Sequence, residues 1–529
     1  MSGIVLPELR EARLPNGLRI AVARRPGVPL AAARLAVRAG SSLDPEGGFG
    51  LAHLVAISAR RGAGRRTGRA IDDLVESLGA NLGGGAEEDA SVHGLSAPVE
   101  VLPRLVEVLA AVVARRPGVP LAAARLAVRA GSALDPEGGV GLAHLVAISA
   151  RRGAGRRTGR AIDDLVESLG ANLGGGAEED ASVHGLSAPV EVLPRLIDVL
   201  AAVVARPTFP PAEFERLRRS ERAELAHDSD EASTVADRAL LEAVYAGHAY
   251  GHAVEGSERD LARLRRRDAA AFHSRWFGPG SALLVVSGPV DVERTVEEAR
   301  RCLGAWKPAP AEPPDLAAAA RGTRRVIVVD KPDATQVQIR IGGVAIPRRS
   351  PDYFPALVGN SVLGGGFTSR LVESIRVNRG LTYGVRSRFS VGRSTGLFAV
   401  SSFTKTETTG ELVEVALGEM ARFAASGPTA EEVSRAASYL AGLFPLSLET
   451  HDQWADRIVD AWIYGYEVAE VRTYQERIRS ITPGEAQAST ARHLPIEDGV
   501  VLAVGPAGAL EKQLSRFGPV EVWPIRRVM

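Results

Sequence analysis

Gly50-Leu51-Ala52-His53-Leu54-Val55-Ala56-Ile57 occurs twice in this chain. Its second appearance is Gly141-Leu142-Ala143-His144-Leu145-Val146-Ala147-Ile148. Each octapeptide lies within a longer repeat, in which residues 22–115 return 91 positions later as residues 113–206. Four positions differ: Ser42 against Ala133, Phe49 against Val140, Val106 against Ile197, and Glu107 against Asp198. All four are mild changes of size or chemistry. The copies therefore encode one structural unit, written twice.

The unit reads outward from the octapeptide. Leu51, Leu54, Val55 and Ser58 recur at helical spacing, which predicts a helix over residues 50–59. A second helix is expected over 69–78, with Ile71, Leu74, Val75 and Leu78 on one face and Gly79 as its stop. Residues 31–39 and 86–97 alternate like strands, and 99–113 form a third helical pattern. The order is β-α-α-β-α. Ahead of it, Asn16-Gly17 marks a hairpin turn leading into a strand over 18–22.

After the repeat, helices are expected from Pro210 onward and over 233–246 and 258–272. A strand follows over 282–287, then a helix over 291–303 with Asp291 as its cap. Lys307-Pro308-Ala309-Pro310-Ala311-Glu312-Pro313-Pro314 reads as an extended linker. Beyond it the order begins again. Strands are expected at 325–329 and 335–341, helices at 353–363 and 369–377, strands at Phe389 and 396–403, and a helix at 411–424. The C-terminal half thus reads as a diverged third instance of the unit. The expected organisation is an N-terminal domain over 1–306 holding tandem repeats 22–113 and 114–206, a linker over 307–323, and a C-terminal domain over 324–529. The fold class is α+β. Two copies compete for one native place, and the downstream packing favours the second.

A chain of 529 residues exceeds one ordinary core. Its 45% apolar and 24% charged content is that of a soluble globular protein. A net charge of +1 argues against nucleic-acid partners. Arg60-Arg61-Gly62-Ala63-Gly64-Arg65-Arg66 carries no interleaved aromatic and reads as a solvated loop. A single cysteine, Cys302, excludes a disulfide framework and any CxxC metal site, and it is expected to be buried. No apolar run is long enough to span a membrane, and the first ten residues show no secretory leader, so a cytoplasmic protein without a membrane partner is expected.

Two histidines four residues apart on a helix present both imidazoles on one face. With a distant carboxylate they make a three-ligand zinc site, and a glutamate beside the second histidine serves as general base. This is the H-x-x-E-H arrangement. Gly50-Leu51-Ala52-His53, Gly79-Ala80-Asn81, His248-Ala249-Tyr250-Gly251-His252, Leu284-Val285-Val286-Ser287-Gly288 and the run from Asn360 through Gly364-Gly365-Gly366 to Leu371 stand in a matching order. Together they resemble the insulinase and mitochondrial processing peptidase family, the M16 metallopeptidases, over nearly the whole chain. The resemblance implies two homologous α/β halves facing each other as a clamshell, with a peptide added to an edge strand.

The chain departs from that family at the motif itself. His53 and His144 keep the first ligand. Ala56 and Ala147 replace the base, and Ile57 and Ile148 replace the second ligand. Glu224 falls near the family's third ligand. One histidine and one carboxylate are too few for stable zinc, so no metal or other cofactor is expected on this chain. A composite site needs His53 and His144 at one point; the plainer reading is a packed histidine in each copy. His248 and His252 lie among glycines where a helix is not expected, and His93 and His184 read as structural.

The C-terminal half carries Arg376 and Tyr383, spaced as the Arg and Tyr that in the family donate to the substrate's carbonyl. The alternative is a packing role for both. Gly364-Gly365-Gly366 reads as a flexible turn beside a substrate cavity, with no Lys-Ser/Thr to make a phosphate loop. The resemblance implies a zinc-less subunit that contributes this pair, a zinc-bearing homologue as partner, and an unstructured peptide as substrate. Two other functions stand beside it: a structural or assembly protein, like the family's core subunits in respiratory complexes, and a self-sufficient zinc endopeptidase.

Overall fold

The computed structural model describes residues 121–529 apart from position 449 and the side chain at 446, and before them the backbone of the strands given below. The chain divides into two compact units, Met1–Gly118 and Val119–Met529.

In the first unit, β1 (Glu8–Arg13) and β2 (Arg19–Arg24) form an antiparallel hairpin, with Glu8 opposite Arg24. The expected strand over 18–22 falls on β2. β3 (Leu30–Val37) pairs with the later strand of its own copy. β4 (Gly62–Ala63) and β5 (Arg66–Thr67) make a short ladder, and β6 (Asn81–Ala86) and β7 (Ser91–Pro98) complete a sheet of order β3-β7-β6. The helices expected at 50–59, 69–78 and 99–113, with His53, Ala56 and Ile57, lie outside the described residues.

The second unit opens with the second copy. Its elements are β8 (Leu121–Val128), α1 (Leu142–Ala150), a short ladder of β9 (Gly153–Ala154) with β10 (Arg157–Thr158), α2 (Gly159–Ser168), β11 (Asn172–Ala177), β12 (Ser182–Pro189) and α3 (Leu193–Ala205). Next come α4 (Pro211–Asp228), α5 (Ala232–Val244), α6 (Glu258–Arg263), α7 (Arg266–Trp276), β13 (Ala282–Ser287) and α8 (Val292–Leu303). The sheet order is β11-β12-β8-β13, with Ala282 opposite Val128. The downstream strand therefore pairs with the second copy, whose small residues make that contact close. Ala122, Ala124, Leu126 and Val128 face one core, and Ala123 and Ala127 face another. A strand buried on both faces loses the polar alternation of a half-exposed one.

Two sequence expectations change. β11 is an additional strand, because Asn172-Leu173-Gly174-Gly175-Gly176-Ala177 has no alternation to betray it. Glycine is needed at 175, where a Cβ would stand 2.3 Å from the His184 ring. The helix expected over 258–272 is two helices. Leu264 and Arg265 are extended between them, and Asp268 accepts a 2.8 Å hydrogen bond from the Arg265 amide to start the second. Asp291 caps α8 as expected, accepting from the Arg294 amide at 2.8 Å.

Beyond residue 306 the elements are β14 (Arg325–Asp330), β15 (Val337–Ala345), α9 (Tyr353–Asn360), β16 (Val385–Val391), β17 (Gly396–Thr404), α10 (Thr409–Ser426), α11 (Ala430–Leu443) and α12 (His451–Tyr464). Then follow α13 (Glu470–Ser480), α14 (Pro483–His493), β18 (Val500–Gly505), α15 (Ala507–Leu514) and β19 (Val520–Pro524). The sheet order is β16-β17-β15-β18-β14-β19. Its first four strands repeat the order β11-β12-β8-β13, which supports reading this half as a diverged instance of the same unit.

The two halves of residues 121–529 exchange helices. On α5, Val235, Ala236, Ala239 and Leu240 pack against Ile327, Leu502 and Val504 of the C-terminal sheet. On α12, Ala455, Val459 and Ile463 pack against Ala123, Ala127 and Val285 of the N-terminal sheet. Each sheet's second face is thus covered by a helix from the other half. Full burial of each larger apolar side chain contributes roughly 1.5–3 kcal/mol. Arg125 adds ion pairs across the seam, to Asp452 at 2.7 Å and Asp456 at 2.6 Å.

Candidate functional site

α1 carries the octapeptide's histidine. The helix begins after Gly141, whose φ of 92° and close approach to the Glu255 carbonyl both require glycine. Asp135 caps it, accepting from the amides of Gly141 at 2.7 Å and Ala143 at 2.8 Å. Burial pushes the Asp135 carboxyl up to about 7, against the opposing pull of those amide bonds.

The His144 Nε2 lies 3.0 Å from the Glu221 Oε2 on α4, and both side chains are 17% exposed. Glu224, the carboxylate expected here from sequence, is exposed one turn further along. Residues three apart share a helix face, so spacing alone does not choose between them. At the base position, the Ala147 methyl is buried in the core. Ile148 packs half-buried against the same core.

A catalytic zinc takes three protein ligands and an open position. Here one imidazole and one carboxylate pair with each other, and the neighbouring positions hold hydrocarbon. The donor set does not fit the metal. Among the described residues, no group of three or more His, Cys, Asp or Glu is placed to hold one. A composite site with His53 falls outside the described residues.

The other histidines singled out by sequence lie outside this pair. His184 on β12 is buried beside Gly175, and burial depresses it to about 4. His248 and His252 lie in a loop, with ring nitrogens near the carbonyls of Ala317 at 2.9 Å and Ala253 at 3.2 Å. For His93 only the backbone of β7 is described. Cys302 is buried, as expected.

In the C-terminal half, Arg376 lies in a π-helical turn, Val372–Val377, and its guanidinium stands 5.3 Å from the centre of the Phe367 ring. Gly380, with φ of 62°, then turns the chain. Tyr383 is 84% exposed and Phe367 78%. Arg376 is exposed too, so both members of the pair face solvent. Among the described residues, no hydrogen bond joins either to His144 or Glu221.

The glycine run is packed where it begins. A Cβ at Gly364 would meet the Ser387 hydroxyl at 2.4 Å. Ser387 in turn donates to the Asn360 side chain at 2.6 Å. Close packing, rather than the flexibility expected from sequence, explains Gly364. Sequence reasoning also missed Asp135 and Glu221. An Asp-Pro step before a helix was the available signal for Asp135, and only the packing of α4 on α1 identifies Glu221.

Comparison with known proteins follows this division. The pattern of the insulinase family, Peptidase family M16, matches residues 19–117 and again 111–258. That of the peptidase M16 inactive domain matches 263–440. The chain is 24% identical over 372 residues to an uncharacterized zinc protease of Streptomyces coelicolor, covering 69% of this chain and 80% of that one. It is 24% identical over 390 residues to a non-peptidase homolog of Helicobacter pylori, covering 72% and 88%. The solved peptidase M16 inactive domain from Pseudomonas fluorescens superposes with a TM-score of 0.69 at 25% identity, covering 73% of this chain and 93% of that one. No helix among the described residues is long and apolar enough to cross a membrane. Matched over most of its length, in both halves, the chain belongs to the insulinase family of peptidases, family M16.

Proposed function

We propose that this chain is the zinc-less subunit of a heterodimeric M16-type peptidase and contributes Arg376 and Tyr383 to peptide binding. The observation that carries this reading is an asymmetry. The N-terminal half has an imidazole–carboxylate pair, His144–Glu221, with no base and no second histidine beside it. The C-terminal half keeps an exposed Arg and Tyr. In this reading Arg376 supplies a permanent charge and Tyr383 a neutral donor, both aimed at a peptide carbonyl whose oxygen gains charge during cleavage. Zinc belongs to a homologous partner, and the substrate is an unstructured peptide.

The test is peptide cleavage by the chain co-purified with a zinc-bearing homologue. Arg376→Ala should lower kcat roughly 10²-fold, the scale of losing one oxyanion donor, and Tyr383→Phe somewhat less. Full activity in both variants would defeat the proposal. That result would favour the second reading, an assembly protein, which the similarity to a non-peptidase homolog supports.

A further inference from the structure

Where the two halves of residues 121–529 meet, beside the Pro-rich linker, lies a cavity of about 420 Å³. Arg129, Arg349 and Arg393 line it, with Glu179, Asp180 and Asp315 on its walls. These charges do not pair off evenly. The Arg393 guanidinium donates to Asp315 at 2.5 Å, and its amide donates to Asp180 at 3.0 Å. The other oxygen of Asp180 accepts from the Tyr250 hydroxyl at 2.6 Å. That set is complete.

Arg129 has a different environment. Its guanidinium stacks 4.4 Å over the Trp462 ring, and its Nη2 donates to the Trp462 carbonyl at 2.6 Å. Its Nε is buried and has no acceptor. Burial, and then the nearby Arg393, both disfavour its charge. Arg349 stands exposed at the cavity, with its stem 3.3 Å from where a Cβ on Gly465 would lie. Among the described residues, neither Arg129 nor Arg349 makes an ion pair. A buried donor without an acceptor costs about 1–3 kcal/mol. Two guanidiniums without a carboxylate partner, set against the one remaining carboxylate, Glu179, give the cavity an excess of charged donors suited to a multi-oxygen anion, which planar forked donors bind well.

We propose that this cavity binds a small organic anion, a carboxylate or a phosphate ester, with oxygens received by the Arg129 guanidinium where it lines the cavity and by Arg349. The site is separate from Arg376 and Tyr383, and it stands or falls independently of the peptidase-subunit reading.

The test uses the full chain at constant ionic strength. Melting temperature is followed against citrate, glutarate and inorganic phosphate, with chloride as the control, and affinity is measured by calorimetry. A saturable rise with a carboxylate or with phosphate is expected, and the effective anion identifies the ligand's headgroup. Arg349→Ser should weaken binding tenfold or more, and Arg129→Met should abolish it. Arg160→Ser, on an exposed arginine of α2, should leave it unchanged. Should Arg129→Met fail to fold, Arg349→Ser decides alone. No saturable shift with any of the three anions, or equal binding by Arg349→Ser and the parent, would overturn the proposal.

Discussion

β13 and β18 hold the same place in two sheets of the same order, yet their surroundings differ. β18 lies between β15 and β14, and all six of its residues are buried. β13 pairs with β8 on one side, and among its six residues only Val285 is buried. On the helix after β13, Val292 and Val296 remain 70% and 50% exposed. The C-terminal half supplies its own outer strands, β14 and β19. By chain order the N-terminal counterpart of β14 is β2, now separated from the second copy by the whole first copy, and its described partner is β1. The tandem repeat thus lengthens the chain between a strand and its neighbours in sequence logic, and among the described residues β13 has one strand partner where β18 has two.

The largest expected effect tests that contrast directly. Leu502→Ala on β18 should cost about 2–5 kcal/mol in urea unfolding, as for a fully buried leucine. Leu284→Ala, on the half-exposed β13, should cost less than half as much. Equal losses would show that β13 is as enclosed as β18 and break the comparison.

A second test asks whether the N-terminal site lacks only its missing donors. Ala147→Glu combined with Ile148→His restores the H-x-x-E-H pattern beside His144 and Glu221. Elemental analysis should then find about one zinc per chain in the double variant, where the parent binds none tightly. A folded double variant with no zinc would mean that the geometry, and not the two side chains alone, has been lost.

The third is a pH dependence. His184 is depressed from 6.5 to about 4 by burial. Between those values the unfolded chain binds a proton that the folded chain refuses, so this group's contribution is present above 6.5 and is lost as pH falls towards 4. His184→Leu should flatten that slope relative to the parent. Asp135, raised to about 7, acts oppositely, because its folded state keeps a proton the unfolded state releases, so its contribution is lost as pH rises from 3.8 towards 7. An unchanged profile in His184→Leu would show that the ring is already hydrated.

The smallest effect separates two neighbouring carboxylates. Glu221→Gln removes the acid facing His144 and should cost about 1 kcal/mol or less in urea unfolding, the scale of a partly exposed pair. Glu224→Gln should leave the unfolding midpoint unchanged. The reverse result would put the other turn of α4 against the histidine.

Much of this was legible in the sequence. Periodicity found α1, α2 and α3 in the second copy, because their apolar residues recur at helical spacing. The Pro-rich run lies between α8 and β14. Other features escaped. β11 is built of glycines, which carry no periodic signal, and its position follows from the ring of His184 lying against it. The break at Leu264 and Arg265 falls inside a continuous helical pattern, and a local cap from Asp268 creates it. Glu221 and Glu224 are equivalent in spacing, and only the contact between α4 and α1 tells them apart. The exchange of α5 and α12 between halves also left no local trace, since a helix's apolar face does not say which sheet it will cover.

The octapeptide, by itself, determined that this chain keeps a histidine and lacks the base and second ligand of its family, because those are facts of side-chain chemistry at fixed spacing. It also determined that the unit is written twice. The tertiary structure decided which carboxylate meets His144, which copy pairs with β13, and that Gly364 is a packing residue. Those outcomes depend on contacts between residues far apart in sequence, which the energetics of burial select and local periodicity does not encode.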